Sequence, residues 1–394
     1  MYNQKMKQLG SNRSVIRELF EFGKKRAAEI GAENVFDFSI GNPSVPAPEC
    51  VAKTIVDLVE NFDSVALHGY TSAQGDAAVR KTIADSVKAR FDADLDPNLI
   101  YMTCGAAASL TISLHALCCE NDEFITFTPF FPEYRVFVEG AGGKLIACPS
   151  EEGTFQIDID NFKAALNEHT KAVIVNSPNN PSGVVLTEEK IVAMCDVLRE
   201  KQNEYGHPIY LITDEPYREL VYDDIKVPYL TNYYDNTIVG YSYSKALSLP
   251  GERIGYVAVN PNAEDAAEVY AAIAGAGGAL GYVCAPSMFQ RVIAANIDKT
   301  ADVSIYRKNR DILLEGLTAM GYTCVRPDGA FYLFVKALED DANAFSERAK
   351  QHELLLVPSD SFGVPGYVRI SYCVQTESIE RALPAFKALA ESYK

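Results

Sequence analysis

TIVGYSYSKALSLPGERIGYVAV, residues 237–259, is the stretch on which the fold turns. It opens and closes on apolar runs, TIVGYS at 237–242 and RIGYVAV at 253–259, and the polar connection between them carries a single lysine, Lys245. Short apolar runs rich in β-branched and aromatic residues, bounded by Gly, Pro and Ser, read as strands covered on both faces. Five more such runs precede them: LIYMT at 99–103, EFITFT at 123–128, KLIAC at 144–148, KAVIVN at 171–176 and IYLIT at 209–213. Helical patterns alternate with these runs, which predicts an α/β fold with a mostly parallel seven-stranded sheet between helices.

Beyond residue 290 the pattern changes. A long helix near 302–320, a strand pair within YTCVRPDGAFYLFV, another helix, a strand at YVRISYC (367–373) and a last helix predict a smaller α+β domain. At the other end SVIRELFEFGKKRAAEI (14–30) is amphipathic and is expected to pack on that second domain. With 394 residues, more than one core usually organises, the expected division is 1–50 joining the small domain, 51–289 as the large domain and 290–394 as the small one.

Composition narrows the function. Fifty-three acidic against 36 basic residues give a formal charge of −17, which repels a phosphate backbone and an anionic membrane surface alike, so neither nucleic acid nor membrane is expected as a partner. An anionic ligand would therefore need its own cluster of donors, which gives weight to any arginine in a motif. Nine cysteines without CxxC pairs are expected to be reduced and mostly buried thiols in a cytoplasmic protein. Five scattered histidines at neither HxxxH nor HExxH spacing point to no metal. The opening MYNQKMKQLG lacks the apolar core of a secretory signal. The uncharged stretch 97–119 reads as strand, turn and buried helix, and 269–290 is too interrupted by Gly275, Gly277, Gly278, Gly281 and Pro286 to span a bilayer.

Ligands of such sheets collect at the carboxyl ends of the strands. Thr103-Cys104-Gly105-Ala106, Asn176 to Gly183, Asp214-Glu215-Pro216-Tyr217 and Ser242-Tyr243-Ser244-Lys245 all fall there, which points to one composite site.

NSPNNPSG (176–183), ITDEPY (212–217) and SYSKALSLPGERIGY (242–256), in that order and at these separations, resemble the class I/II aminotransferases of pyridoxal-phosphate (PLP) fold type I, the aspartate aminotransferase-like group, and the likeness covers essentially the whole chain. It implies a PLP-dependent aminotransferase that moves an amino group from an L-amino acid to a 2-oxo acid, 2-oxoglutarate foremost, in a homodimer with shared active sites. Lys245 would hold the cofactor as an imine and then shuttle the proton at Cα, work that suits a lysine whose cationic or apolar surroundings favour the neutral amine. Asp214, closing an apolar strand, would pair with the protonated ring nitrogen; the competing role for an Asp there is a helix N-cap. Tyr217 and Asn180 would donate to the ring's phenolic oxygen. The phosphate would lie on the Gly105 and Ala106 N–H groups, the Ser242 hydroxyl and the Arg253 guanidinium. Phe131 would stack on the ring, with Phe130 the alternative. Tyr70, in HGYTSAQG, would reach the phosphate of the neighbouring subunit. Arg369 would fork onto the substrate's α-carboxylate, with Asn180 and Gly41 beside it.

The departures bear on the donor. One aspartate-specific branch takes a second arginine from a segment that here reads GAGGALGYV, and another carries a lysine where this sequence has Ala107. Strict aspartate specificity is therefore not expected unless Arg13, Arg17 or Arg135 substitutes. A neutral or aromatic donor is favoured, with Phe331 and Tyr332 as lining residues and aspartate kept as a further possibility. The glycines of GAGGALG do not follow a strand with an acid about twenty residues on and do not read as a dinucleotide fingerprint. The alternative activity on the same scaffold is a C–S β-lyase. An aminotransferase-like regulatory domain is less favoured, because residues 1–38 ahead of SIGNPSVPAP leave little room for a DNA-binding segment.

Overall fold

The computed structural model of the chain describes residues 2–11 and 14–394, the Lys5 side chain excepted. Seven strands form one sheet: β1 Ile100–Thr103, β2 Glu123–Phe127, β3 Lys144–Cys148, β4 Thr170–Asn176, β5 Tyr210–Asp214, β6 Thr237–Ser242 and β7 Gly255–Val259. Their order is β1-β7-β6-β5-β4-β2-β3. All neighbours are parallel except those of β7, which runs antiparallel to both β1 and β6. The apolar runs at 99–103, 123–128, 144–148, 171–176, 209–213, 237–242 and 253–259 thus become strands with ends shifted by at most two residues.

They are apolar on both faces because both faces are covered. Ala172 and Ile174 of β4 enter one core cluster with Leu110, Leu114 and Ile212, while Val173 and Val175 enter another with Met194, Leu198 and Leu211. The period of two sends successive side chains to opposite helical layers. GAGGALG falls at the end of the helix Ala266–Leu280, where Gly277 admits the Tyr101 ring: a Cβ there would lie 2.6 Å from its hydroxyl.

A second sheet has four strands, β8 Cys324–Val325, β9 Tyr332–Lys336, β10 Val357–Pro358 and β11 Tyr367–Ser371, in the order β10-β11-β9-β8 and antiparallel throughout. The helices Ser304–Ala319, Ala342–Lys350 and Thr376–Glu391 pack on it, with Leu313, Phe345, Val368 and Phe386 in one core. The amphipathic amino-terminal stretch is the helix Val15–Ile30, and its Leu19 joins Leu355, Val357 and Phe362. Phe36–Asp37 then pairs in parallel with Leu354–Leu355.

One expectation fails. All nine cysteines are free, but only Cys148, Cys195 and Cys373 are buried; Cys119 is exposed and the other five are half-buried. Most of the thiols sit at turns and helix ends, Cys104 in the glycine turn and Cys118 and Cys119 after the helix Ala106–Leu117, where covering is partial. No helix among the described residues is long and apolar enough to cross a membrane.

Candidate active site

Strand ends of the large sheet, the segment through Gly41 and strand β11 meet at a cavity of about 410 Å³, within the range of cofactor sites. Register does the first part of the assembly. Asn176 pairs across from Asp214 and Asp214 from Gly240, so the amide, the acid and the run into Lys245 emerge side by side. Asn176 then ties the turn to the strand: its Nδ2 donates to the Asp214 carbonyl and its Oδ1 accepts from the Asn180 N–H, both at 2.8 Å.

Lys245 lies in the one-turn helix Tyr243–Ala246, whose N-cap is Ser242; the Ser242 hydroxyl accepts from the Ser244 N–H at 3.2 Å. Lys245 Nζ donates to the Gly41 carbonyl at 2.7 Å. Burial pulls its pKa down to about 8; Cys373 opposes this, while the Arg253 and Arg369 charges add to it. The amine is therefore neutral far more often near physiological pH than a solvated lysine.

Asp214 is 5% exposed. Tyr134 donates to its Oδ2 at 2.6 Å, but Oδ1 is buried without a partner. Burial pushes the carboxyl up to about 7, against the Tyr134 bond that favours the charged form. The chain after Asp214 forms turns rather than a helix, so the acid is not an N-cap. An orphaned buried oxygen at a cavity wall is costly unless a ligand cation answers it.

Asn180 accepts at Oδ1 from Arg369 Nη1 at 3.0 Å, which leaves its amide N–H groups as donors. Arg369 itself is 2% exposed and lies over the rings of Tyr332 and Phe362, 4.7 and 5.2 Å from their centroids. The Tyr217 and Tyr332 hydroxyls are 2.8 Å apart. Gly41 is required where it stands, since a Cβ would lie 2.0 Å from the Tyr332 hydroxyl.

At the far end Gly105, with φ +89°, caps the helix Ala106–Leu117, and a Cβ on it would come within 2.9 Å of the Arg253 guanidinium. Arg253 Nη1 is held by the Pro250 carbonyl at 3.0 Å. A helix N-terminus beside a fixed guanidinium is a cradle for a dianion.

Phe131 lines the cavity and stands edge-on to Tyr134, whereas Phe130 is buried in the core with its N–H on the Phe362 carbonyl. Of the two lining residues expected from DGAFYLF, Tyr332 reaches the cavity; Phe331 is fully buried behind it, beneath Lys245. Tyr70 is 96% exposed and outside its own chain's cavity. Arg17 lines the cavity, Arg135 is exposed and faces Glu139 at 3.6 Å, and Arg13 lies outside the described residues. A larger groove of about 880 Å³, along Arg90, Arg218 and Lys226, contains none of the strand-end residues.

Sequence reasoning gave no role to Tyr134, Asn176, Ser244 or Glu133, all of which line or brace the site. Tyr134 and Glu133 stand in the TPFFPEY segment searched for its aromatic rings, and Asn176 opens NSPNNPSG, so the segments were visible and the partnerships were not.

Comparison with known proteins agrees with this geometry. The sequence profile of aminotransferase class I and II matches residues 33–386. A crystal structure of an aminotransferase from Eubacterium rectale superposes with a TM-score of 0.98 at 58% identity, over 100% of this chain and 99% of that one. Aspartate aminotransferase of Thermotoga maritima is 29% identical over 363 residues, 91% of this chain and 92% of that protein. Aromatic-amino-acid aminotransferase 2 of Thermococcus litoralis is 27% identical over 403 residues, 97% of each. With the profile spanning nearly the whole chain, and the paired acid, lysine and arginine in one cavity, the chain belongs to the class I and II aminotransferases, transaminases of PLP fold type I that act on small molecules with pyridoxal 5′-phosphate as cofactor.

Proposed function

We propose that the enzyme transfers the amino group of a neutral or aromatic L-amino acid to 2-oxoglutarate, with Lys245 as the residue that holds the cofactor and moves the proton. The observation that carries the cofactor-dependent transfer is the Asp214 carboxylate, buried and with Oδ1 unpartnered, lining the same cavity as a lysine of lowered pKa. Those residues fit pyridoxal phosphate: a protonated ring nitrogen satisfies Oδ1, and the Gly105 and Arg253 end suits its phosphate. When bound, the cofactor supplies the sink for the electron pair left at Cα.

The chain's own residues do the rest. Asp214 would keep the proton on the ring nitrogen, and Tyr134 holds the acid in line. Tyr217 and the Asn180 amide would donate to the phenolic oxygen. Ser242, Arg253 and the N–H groups of Gly105 and Ala106 would hold the phosphate, and Phe131 would cover the ring. Arg369, steadied by Asn180, would take the α-carboxylate beside Gly41 and so aim the Cα–H bond at Lys245 Nζ, which would accept and hold that proton. Relatives named for aspartate and for aromatic amino acids leave the donor to this chain's own residues. Arg17 is the one described cation added to the cavity beyond the expected Lys245, Arg253 and Arg369, and Glu133 stands on the same cavity, which favours a neutral donor side chain.

We also infer a cytoplasmic homodimer, each subunit organised as residues 1–50, 51–289 and 290–394, with Tyr70 serving the partner's phosphate. Its near-complete exposure in the single chain, alongside Val65 at 80%, suits an interface position. The test is a panel of amino acids with 2-oxoglutarate, followed by the absorbance of the lysine-bound cofactor. Wild type is expected to turn over, and Lys245→Ala to bind the cofactor without that absorbance or appreciable turnover. Release of ammonia and pyruvate without amino transfer would replace this reading by the β-lyase, and near-normal transfer by Lys245→Ala would refute the role of the lysine.

A further inference from the structure

A transaminase of the proposed kind has to accept two different side chains in one cavity, a neutral one on the donor and a carboxylate on 2-oxoglutarate. Two residues outside the expected cofactor set stand where that choice is made. Glu133, the first residue of the helix Glu133–Ala141, lines the cavity half-buried, and its Oε2 is buried with no hydrogen-bond partner. Arg17, from the amino-terminal helix, lines the same cavity, and its guanidinium is in no ion pair among the described residues. Arg369, the expected α-carboxylate ligand, fixes the other end of any substrate.

A helix-terminal acid that served only the helix dipole would keep its oxygens hydrated or bonded. Glu133 does neither with Oε2, which is buried without a partner in a residue that lines the cavity. The charged and titratable groups that act on or from Glu133 are Arg17 on the amino-terminal helix, Arg369 on β11, Tyr332 on β9 and Tyr134 beside it on its own helix. Arg135 and Glu139 of that helix are exposed. Burial raises the Glu133 carboxyl above its ordinary range, against its own backbone N–H and the two arginines.

With a neutral side chain in the cavity, an ionised Glu133 balances Arg17. When a second carboxylate enters, Arg17, exposed on the amino-terminal helix but lining the cavity, is its natural partner, and an ionised half-buried Glu133 would then be a like charge on the same cavity. We propose that Glu133 sorts the two half-reactions by protonation: it stays ionised with the neutral donor and takes up one proton from solvent when the second carboxylate of 2-oxoglutarate binds, donating from Oε2 to that carboxylate. The proton returns to solvent when the dicarboxylic product leaves, so the cycle balances. This rests on the proposed 2-oxoglutarate acceptor and deepens it.

The test uses the holoenzyme and compares KM for 2-oxoglutarate with KM for pyruvate between pH 6 and 8. Titrations common to both acceptors, Lys245 included, cancel in that ratio. Wild type is expected to lose relative affinity for 2-oxoglutarate by about threefold or more per pH unit, with tenfold per unit the limit for one linked proton. Glu133→Gln should flatten the ratio to within about twofold across the range, and proton uptake on binding 2-oxoglutarate in weak buffer should fall with it. Arg17→Gln should raise the ratio about tenfold or more at every pH, by removing the carboxylate's partner. Because each ratio is read within one variant, a general loss of activity does not affect it. A flat ratio in wild type, or an unchanged slope in Glu133→Gln, overturns the assignment of Glu133. Failure of wild type to aminate 2-oxoglutarate would instead overturn the proposed function, and the sorting role with it.

Discussion

Asp214→Asn is expected to make the cofactor-free protein more stable while disabling the enzyme, because the carboxylate is strained until a cation meets it. Its pKa rises from an ordinary 3.8 to about 7 through burial. That shift of about three units corresponds to roughly 4 kcal/mol of penalty for ionising the acid in the folded chain. The side chain is 5% exposed, so solvent screening removes little of this. The folded pKa lies above the unfolded one, so stability is present below about pH 4 and is lost as the pH rises through 7. Asparagine has the same shape, never ionises, and still accepts from Tyr134. Its amide leaves an unpartnered donor in place of Oδ1, at a cost of about 1 to 2 kcal/mol. The net gain over wild type should be about 2 kcal/mol at pH 8 and should vanish or reverse near pH 5. Urea unfolding of both cofactor-free proteins at the two pH values measures it. With pyridoxal phosphate bound the order should reverse, since wild type then gains the ring-nitrogen pair and the linked stabilisation of a tightly held ligand. A cofactor-free Asp214→Asn protein less stable than wild type at pH 8, or a difference independent of pH, would show that the acid is comfortable without a cation and that its role has been misread.

Gly105→Ala should weaken pyridoxal phosphate binding by about tenfold or more in a fluorescence titration, since φ of +89° disfavours an L side chain and the new Cβ would press on the Arg253 guanidinium. Unchanged affinity would detach the glycine turn from the phosphate. Mixing Tyr70→Phe subunits with Lys245→Ala subunits should recover part of the wild-type activity after subunit exchange, because one site of the mixed dimer then carries both native residues. No recovery would place the exposed Tyr70 outside the partner's site.

The seven strands were legible because each is covered on both faces, so its run of apolar side chains is continuous and local, and the residues that serve chemistry punctuate those runs at their carboxyl ends. Lys245, Asp214 and Asn180 fall within a few residues of such strands, and their roles came from the resemblance of the ordered motifs that hold them. Likewise the helix 15–30 shows its apolar stripe in sequence. The strands Phe36–Asp37, Leu354–Leu355 and Val357–Pro358 were not legible, since two residues carry no period and exist only because a distant segment pairs with them. The partnerships of the site lie further out of reach. Tyr134 meets Asp214 across 80 residues and Arg369 meets Asn180 across 189. Arg17 and Glu133 reach one cavity because the amino-terminal helix packs on residues 355 to 362. Local pattern determines which segments become strands and helices, because burial of a face leaves its period in the chain. Which polar atoms share a cavity, and which of them lack a partner there, is decided by packing between segments far apart in sequence, and a side chain's charge or hydroxyl leaves no periodic trace of the neighbour it will meet.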